Sequence, residues 1–99
     1  MEIREIIWKQ PIVEKIQAKH GVSLEEVEYV LQHRPHLRYV ERGRVQGEYV
    51  YAALGQTAAG RYLVVLVILK PGGRALPISA RQMTAKERRL YGRQTKRKS

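Results

Sequence analysis

One apolar run, from Tyr62 to Leu69, constrains the fold of this sequence most strongly. The run is rich in β-branched residues, which favour strands, and its apolar residues do not alternate with polar ones. A strand of this kind has no face that suits solvent, so we expect it in the middle of a sheet with cover on both faces. The run is also less than half the length of a membrane-spanning helix, so we expect no insertion into a membrane.

Four strands are predicted in the second part of the chain, and turns that contain glycine separate them. The strands are predicted over Leu37 to Glu41, Glu48 to Leu54, Arg61 to Leu69 and Arg74 to Ala80. The turns are predicted at Gly43 and Gly47, at Gly55 to Gly60, and at Pro71-Gly72-Gly73. Short connections of this kind predict an antiparallel meander. Pro77 cannot donate a ladder hydrogen bond, which predicts an edge or a bulge for the last strand.

A short strand over residues 3–8 and two helices are predicted before the meander. Pro11 suits the first turn of a helix, and Gly21 can end that helix in a left-handed conformation. Ser23 and Glu26 have the spacing of a capping box, which predicts a second helix that ends before Pro35. The short connection makes the two helices a hairpin. The predicted inner face of the first helix contains Ile12, Val13, Ile16 and His20.

A second capping box, Thr84 with Glu87, predicts a final helix from Thr84 to about Gln94. Its basic residues Lys86, Arg89 and Arg93 fall on one stripe, and Met83 and Leu90 mark the apolar side. The sequence therefore predicts one α+β domain over residues 1–95 and a basic tail over residues 96–99. The domain contains a twisted antiparallel sheet, an N-terminal helical hairpin and a basic C-terminal helix.

The charge of the chain is strongly positive and unevenly distributed. The formal net charge is +10 and the isoelectric point is about 10.3. Residues 1–30 have a balance of −2, whereas residues 31–99 have a balance of +12. A pI above about 9 is typical of nucleic-acid-binding domains. We therefore expect an anionic partner, most simply RNA, to bind the second part of the chain. The alternative is that the surplus positive charge only keeps the protein soluble.

Several kinds of site and compartment are not expected. The chain has no cysteine, and its N-terminal residues do not resemble a signal peptide, so we expect a cytoplasmic protein. The only histidines are His20, His33 and His36, and they lack the carboxylate or thiolate neighbours of a metal site. No phosphate-binding or dinucleotide-binding glycine motif is present, so we expect neither a metal nor a cofactor.

Three blocks of the sequence resemble successive blocks of the BrnT family, the toxins of type II toxin-antitoxin pairs. The blocks are Lys19-His20-Gly21-Val22-Ser23, the stretch from Gly60 to Val65, and the stretch from Ile78 to Tyr91. The resemblance implies a RelE-like fold, a ribonuclease that uses no metal, and an antitoxin, expected to be of the ribbon-helix-helix type, that covers the active surface. It also makes a homodimer or a toxin-antitoxin hetero-oligomer possible. The chain departs from the family at Lys9, where an aspartate usually follows the early tryptophan.

A metal-free ribonuclease needs positive charge at the phosphate and groups that move protons. We assign Arg61 and Arg81 to the phosphate, because both lie at strand ends in the matched blocks and neither has an obvious acidic partner in the sequence. His20 is the candidate general acid or base, because imidazole titrates near neutral pH, although a capping or packing role is an equal alternative. Ser79, Glu87 and Arg88 are further catalytic candidates. The RNA-binding candidates are Lys86, Arg88, Arg89, Arg93, Tyr62, Tyr91 and Trp8.

Two other functions fit the same residues. The arginines of a non-catalytic RNA-binding module would only neutralise phosphates. An inactive member of the family would retain the basic face for an acidic protein partner. For Trp8, packing in the core is an alternative to stacking on an RNA base.

Overall fold

The computed structural model describes residues 3–97, with side chains as far as Arg93, and this part of the chain forms five strands and three helices. In chain order they are β1 (Glu5–Ile6), α1 (Gln10–His20), α2 (Leu24–Gln32), β2 (His36–Arg42), β3 (Tyr49–Gln56), β4 (Tyr62–Lys70), β5 (Arg74–Gln82) and α3 (Ala85–Arg97). The protein is therefore of the α+β class.

The sheet has the strand order β1-β5-β4-β3-β2. Strands β2 to β5 form the predicted antiparallel meander. The prediction of a wholly antiparallel sheet is wrong, because β1 pairs with β5 in parallel, with Glu5 opposite Arg74 and Ile6 opposite Ala75. The first strand is also shorter than the predicted residues 3–8. No local pattern in the sequence indicates this pairing, because β1 and β5 are far apart along the chain.

The prediction that the apolar run forms a central strand is confirmed. Strand β4 is the central strand, with two strands of the sheet on each side of it. Leu63 and Val65 pack into the core beneath α1 and α2, whereas Val64 packs with Leu54 and Met83 on the opposite face. Burial on both faces explains why polar residues do not alternate along the strand.

The helices begin and end where local chemistry favours it. Gly21 ends α1 with a φ of 59°, in the left-handed region that glycine tolerates. The capping box at the start of α2 is present, because Ser23 accepts from the Glu26 amide and Glu26 accepts from the Ser23 amide. The inner-face prediction is wrong for His20, which is exposed, whereas Val13 and Ile16 are buried.

Two strand residues depart from regular geometry. Pro77 lies at a register irregularity between β4 and β5, as the prediction of an edge or a bulge requires. Gly55 was expected to open a turn, but it lies within β3, and a Cβ atom there would come within 2.8 Å of Val30 Cγ1. This glycine therefore allows α2 to approach the sheet closely, and the turn begins two residues later.

Helix α3 differs from its prediction in length and in orientation. It continues to Arg97 rather than to about Gln94, so Lys96 and Arg97 of the predicted tail are helical, and residues 98–99 lie outside the described residues. Leu90, predicted on the apolar side, is 40% exposed, and Tyr91 packs against the core instead. Within residues 3–97, no helix has the length and apolar character to cross a membrane.

Candidate functional site

The turn between β3 and β4 fixes the backbone of Arg61. The hydroxyl of Thr57, a buried residue, accepts a hydrogen bond from the Arg61 amide at 3.0 Å. The Thr57 amide in turn donates to the Arg61 carbonyl at 2.8 Å. Arg61 therefore leaves the turn in a defined direction, immediately before β4.

The side chain of Arg61 spans from the sheet to α2. Helices α1 and α2 pack on the sheet, α1 on β5 and α2 on β3 and β4. Its Nη1 lies 2.8 Å from both carboxylate oxygens of Glu26 and 3.2 Å from the carbonyl oxygen of Gly21. The two side chains of this ion pair are 32% and 21% exposed. The guanidinium is therefore held at the junction of α1 and α2 and still faces solvent.

Arg81 is held by a carboxylate from the start of α3. Its Nη1 and Nη2 donate to Oε1 and Oε2 of Glu87 at 2.7 and 2.9 Å, and Nη1 also donates to the Gln82 carbonyl at 3.1 Å. These hydrogen bonds from Arg81 lower the pKa of Glu87 to about 2, and the Glu87 carboxylate raises the pKa of Arg81. Such two-pronged pairing fixes the plane of the guanidinium as well as its position.

Neither arginine has an obvious acidic partner in the sequence, but each has one in the folded chain. Glu26 is 35 residues from Arg61, and only the folded chain brings them together. Glu87 is six residues from Arg81, across the turn from β5 into α3. Both glutamates also cap helices, and that role alone accounts for them in the sequence.

An aromatic and cationic group lies beside the two arginines. The guanidinium carbon of Arg88 is 4.4 Å from the centre of the Tyr62 ring, within the range of a cation–π contact. Tyr91 meets Tyr62 edge to face, with 6.1 Å between ring centres. Burial raises the pKa of Tyr91, and the neighbouring Tyr62 adds to the effect.

Two adjoining cavities, which share Tyr62 and Arg88, form one depression, which we call the arginine cleft. A cavity of about 230 Å³ is lined by Gly60, Arg61, Tyr62, Gln82, Met83 and Arg88. A second, of about 470 Å³, is lined by Gln56, Tyr62, Ala85, Arg88, Arg89, Tyr91 and Gly92. The cleft brings guanidinium groups next to partly buried tyrosine rings, and this combination suits phosphates and unpaired bases.

The remaining predicted site residues lie at different distances from the cleft. Arg81 lines neither cavity, although the next residue, Gln82, lines the smaller one. Ser79 precedes Arg81 by two strand positions and so shares its face of the sheet. His20 precedes Gly21, whose carbonyl accepts from Arg61, so its backbone is close to the cleft. Trp8 packs against the core on the hairpin side and donates from Nε1 to Glu28 at 3.0 Å, so it is not brought to the cleft.

The basic stripe of α3 is exposed beside the cleft. Lys86, Arg89 and Arg93 are all exposed, and no ion pair involves them among the described residues. Only Arg89 also lines the cleft.

Sequence reasoning missed Gln56 and the role of Glu26. Gln56 lines the larger cavity and donates from Nε2 to the Gly60 carbonyl at 3.2 Å. No pattern in the sequence marks this residue. Within residues 3–97, no group of three or more histidine and carboxylate side chains is arranged to hold a metal ion.

The comparisons with known proteins agree on one family. The model of the family described as "Ribonuclease toxin, BrnT, of type II toxin-antitoxin system" matches residues 8–87. A crystal structure of the Brucella abortus ribonuclease toxin BrnT is similar to this chain, with a TM-score of 0.54 and 18% sequence identity. The match covers 81% of this chain and 96% of that one, and at this identity it shows a shared fold. No curated protein sequence matches the chain.

Proposed function

This chain belongs to the BrnT family, the ribonuclease toxins of type II toxin-antitoxin systems, and we propose that it is an endoribonuclease that cleaves cellular RNA without a metal ion. The observation that carries the proposal is the arginine cleft, where Arg61 and Arg88 adjoin the rings of Tyr62 and Tyr91. Guanidinium groups bind phosphate oxygens, and aromatic rings stack on unpaired bases, so the cleft suits single-stranded RNA.

The reaction is the attack of a ribose 2′-oxygen on the adjacent phosphorus. The 2′-hydroxyl gives its proton to a base, the new P–O bond forms, and the bond to the 5′-oxygen breaks as that oxygen takes up a proton. Arg61 and Arg81 stabilise the charge that develops on the phosphorane oxygens. His20 serves as general acid or base. Ser79 is a further catalytic candidate, which would make a polar contact with the reacting group.

RNA is held by the residues around the cleft and on α3. Tyr62 and Tyr91 stack on bases, and the exposed basic side chains attract the backbone. The proposed RNA-binding set consists of Lys86, Arg88, Arg89, Arg93, Tyr62, Tyr91 and Trp8. Trp8 contributes least to this set, because its ring packs on the hairpin side and its N–H is occupied by Glu28.

The family implies a cognate antitoxin. We propose that this antitoxin is a ribbon-helix-helix protein that covers the cleft. The toxin then forms either a hetero-oligomer with the antitoxin or a homodimer. The fold is proposed to be RelE-like and the location cytoplasmic.

Expression of the chain alone in a bacterial host tests this function. We expect growth to stop and cellular RNA to be degraded. Expression together with the reading frame next to its gene should restore growth. Normal growth with intact RNA, at a protein level confirmed by immunoblot, would contradict the toxin function.

A non-catalytic RNA-binding module is the second candidate. The observation that favours it is the ion pairing of Arg61 and Arg81, because a carboxylate already balances each of these charges. Such a module binds RNA and leaves it intact, so the integrity of RNA after binding distinguishes the two functions.

A further inference from the structure

Each of the two phosphate-binding arginines is held by the glutamate of a helix capping box. Glu26 accepts from the Ser23 amide at 3.0 Å and contacts Arg61 Nη1 with both oxygens. Glu87 accepts from the Thr84 amide at 2.8 Å and pairs with two nitrogens of Arg81. The same device occurs on two different helices, so each carboxylate is fixed by a helix N-terminus and in turn fixes an arginine.

Both arginines retain unused donors in this arrangement. A guanidinium has five N–H groups. Arg61 uses Nη1 for Glu26 and Gly21, and no acceptor for its Nη2 or Nε is found among the described residues. Arg81 uses Nη1 twice and Nη2 once, which leaves a second Nη2 proton and Nε. Each side chain is therefore anchored by one edge and can still donate from another.

We propose that Glu26 and Glu87 are positioning residues, which direct the unused N–H donors of Arg61 and Arg81 at the RNA backbone. This inference rests on the proposed ribonuclease function. Neither glutamate touches the reacting atoms, and each acts through its arginine. The shared capping geometry sets the direction of both guanidinium groups before RNA arrives.

The arrangement has opposite effects on RNA binding and on turnover. A carboxylate beside each arginine cancels its net charge and repels phosphate, which weakens binding. A guanidinium that is already oriented needs no reorganisation as charge develops, which accelerates cleavage. A purely structural role of the glutamates would not separate these two quantities.

The test replaces each glutamate with glutamine in the full chain. Glutamine can still accept the capping hydrogen bond, so Glu26→Gln and Glu87→Gln should keep their helices. Glu25→Gln is the matched control, because Glu25 is an exposed acid on the same helix and forms no ion pair among the described residues. All three variants gain one unit of positive charge.

Two quantities are measured on single-stranded RNA, together with thermal unfolding as a check on the fold. The Kd is measured on a fully 2′-O-methylated RNA that cannot react, and the single-turnover cleavage rate on the same sequence with ribose. All three variants should bind as tightly as the unchanged chain or more tightly. Glu26→Gln and Glu87→Gln should cleave roughly tenfold to a hundredfold more slowly, whereas Glu25→Gln should cleave at the unchanged rate.

Unchanged cleavage by both glutamine variants would overturn the inference and leave the proposed ribonuclease function in place. If a glutamine variant fails to fold, Arg81→Lys replaces it, because lysine keeps the charge and loses the fork. That variant should bind RNA normally and cleave slowly, and normal cleavage by it would equally refute the inference. An unchanged chain that cleaves no RNA would overturn the function and the inference together.

Discussion

At the scale of single residues, the proposed chemistry depends on the guanidinium of Arg81. It is the penultimate residue of β5, close to the start of α3, and Glu87 of α3 holds it from one side. Arg81→Ala should slow single-turnover cleavage by roughly a hundredfold or more, the usual cost of losing one fixed donor to the transition state. Its effect on RNA affinity should be modest, because the variant loses one positive charge out of many on this part of the chain.

Arg93→Ala is the comparison for Arg81, since Arg93 is an exposed arginine on α3 that lines neither cavity. This variant should lose some affinity and keep its cleavage rate at saturating protein. Equal losses of binding and cleavage in Arg81→Ala would show that Arg81 anchors the phosphate without favouring the transition state.

The ion pair of Glu87 should also affect stability in acid. Hydrogen bonds from Arg81 lower the pKa of Glu87 to about 2 in the folded chain, below its value in the unfolded chain. Its contribution to the free energy of unfolding is therefore complete above the unfolded pKa and is lost as the pH falls towards about 2. Urea unfolding of Glu87→Gln should show a weaker loss of stability between about pH 5 and pH 2.

The control for this prediction is Glu25→Gln, which removes an exposed carboxylate that has no ion pair among the described residues. Its stability should fall with pH as steeply as that of the unchanged chain. If the stability of Glu87→Gln fell with pH as steeply as that of the unchanged chain, the predicted contribution of the ion pair to stability would be contradicted.

At the scale of helices and strands, Lys9, where this chain departs from the pattern of its family, lies at the start of α1. Lys9 is the N-cap of α1, its side chain makes no capping hydrogen bond, and the first turn contains no acidic residue. An aspartate there would suit the positive end of the helix dipole. No capping hydrogen bond is expected from it, because Pro11 has no amide proton and the Ile12 amide already donates to the Lys9 carbonyl at 3.0 Å. Lys9→Asp should therefore raise the free energy of unfolding by about 0.3–1 kcal/mol.

Chemical denaturation measures this change. Lys15→Asp, an exposed site within the same helix, is the control and should give no gain. A Lys9→Asp variant that is no more stable than the unchanged chain would show that the family's aspartate has another role.

Local chemistry in the sequence predicts most of the secondary structure and little of the long-range pairing. The left-handed stop at Gly21, the capping boxes at Ser23 and Thr84, and the unbroken apolar run of β4 each depend on neighbouring residues. The parallel pairing of β1 with β5 depends on residues about seventy positions apart. Nothing within a short window of sequence indicates such a contact.

The functional site divides in the same way. Residue type and position at strand ends predict Arg61 and Arg81, and the aromatic residues near them predict a place for bases. The sequence marks Glu26 and Glu87 as capping residues and Glu87 also as a catalytic candidate, but it does not indicate that either one pairs with an arginine. The prediction that Leu90 lies on the apolar side of α3 is wrong, because α3 contacts the sheet through Arg88 and Tyr91. Leu90 therefore faces solvent.

At the scale of the whole molecule, we expect charge to govern attraction to RNA. The net charge of +10 resides in the segment that forms β2 to α3, and Arg88 and Arg89 line the cleft. RNA affinity should fall steeply as salt rises, and Arg88→Ala or Arg89→Ala should each reduce the slope of log K against log salt by about 0.7 to 1. Fluorescence anisotropy with labelled single-stranded RNA, over about 50 to 300 mM salt, gives this slope.

Arg4→Ala is the control for the salt experiment. Arg4 is exposed, precedes β1 and lies outside the cleft, so the slope should not change. Affinity that does not depend on salt would indicate that phosphate contacts do not dominate binding.

Cleavage of purified RNA in the presence of EDTA tests metal-independent ribonuclease activity most directly. The purified chain and an Arg81→Ala control are incubated with single-stranded RNA in excess EDTA, and the product ends are identified by mass spectrometry. Attack by the 2′-hydroxyl predicts 2′,3′-cyclic phosphate and 5′-hydroxyl ends from the unchanged chain and far less product from Arg81→Ala. Intact RNA, cleavage that stops when EDTA is added, or products with 5′-phosphate ends would contradict this account.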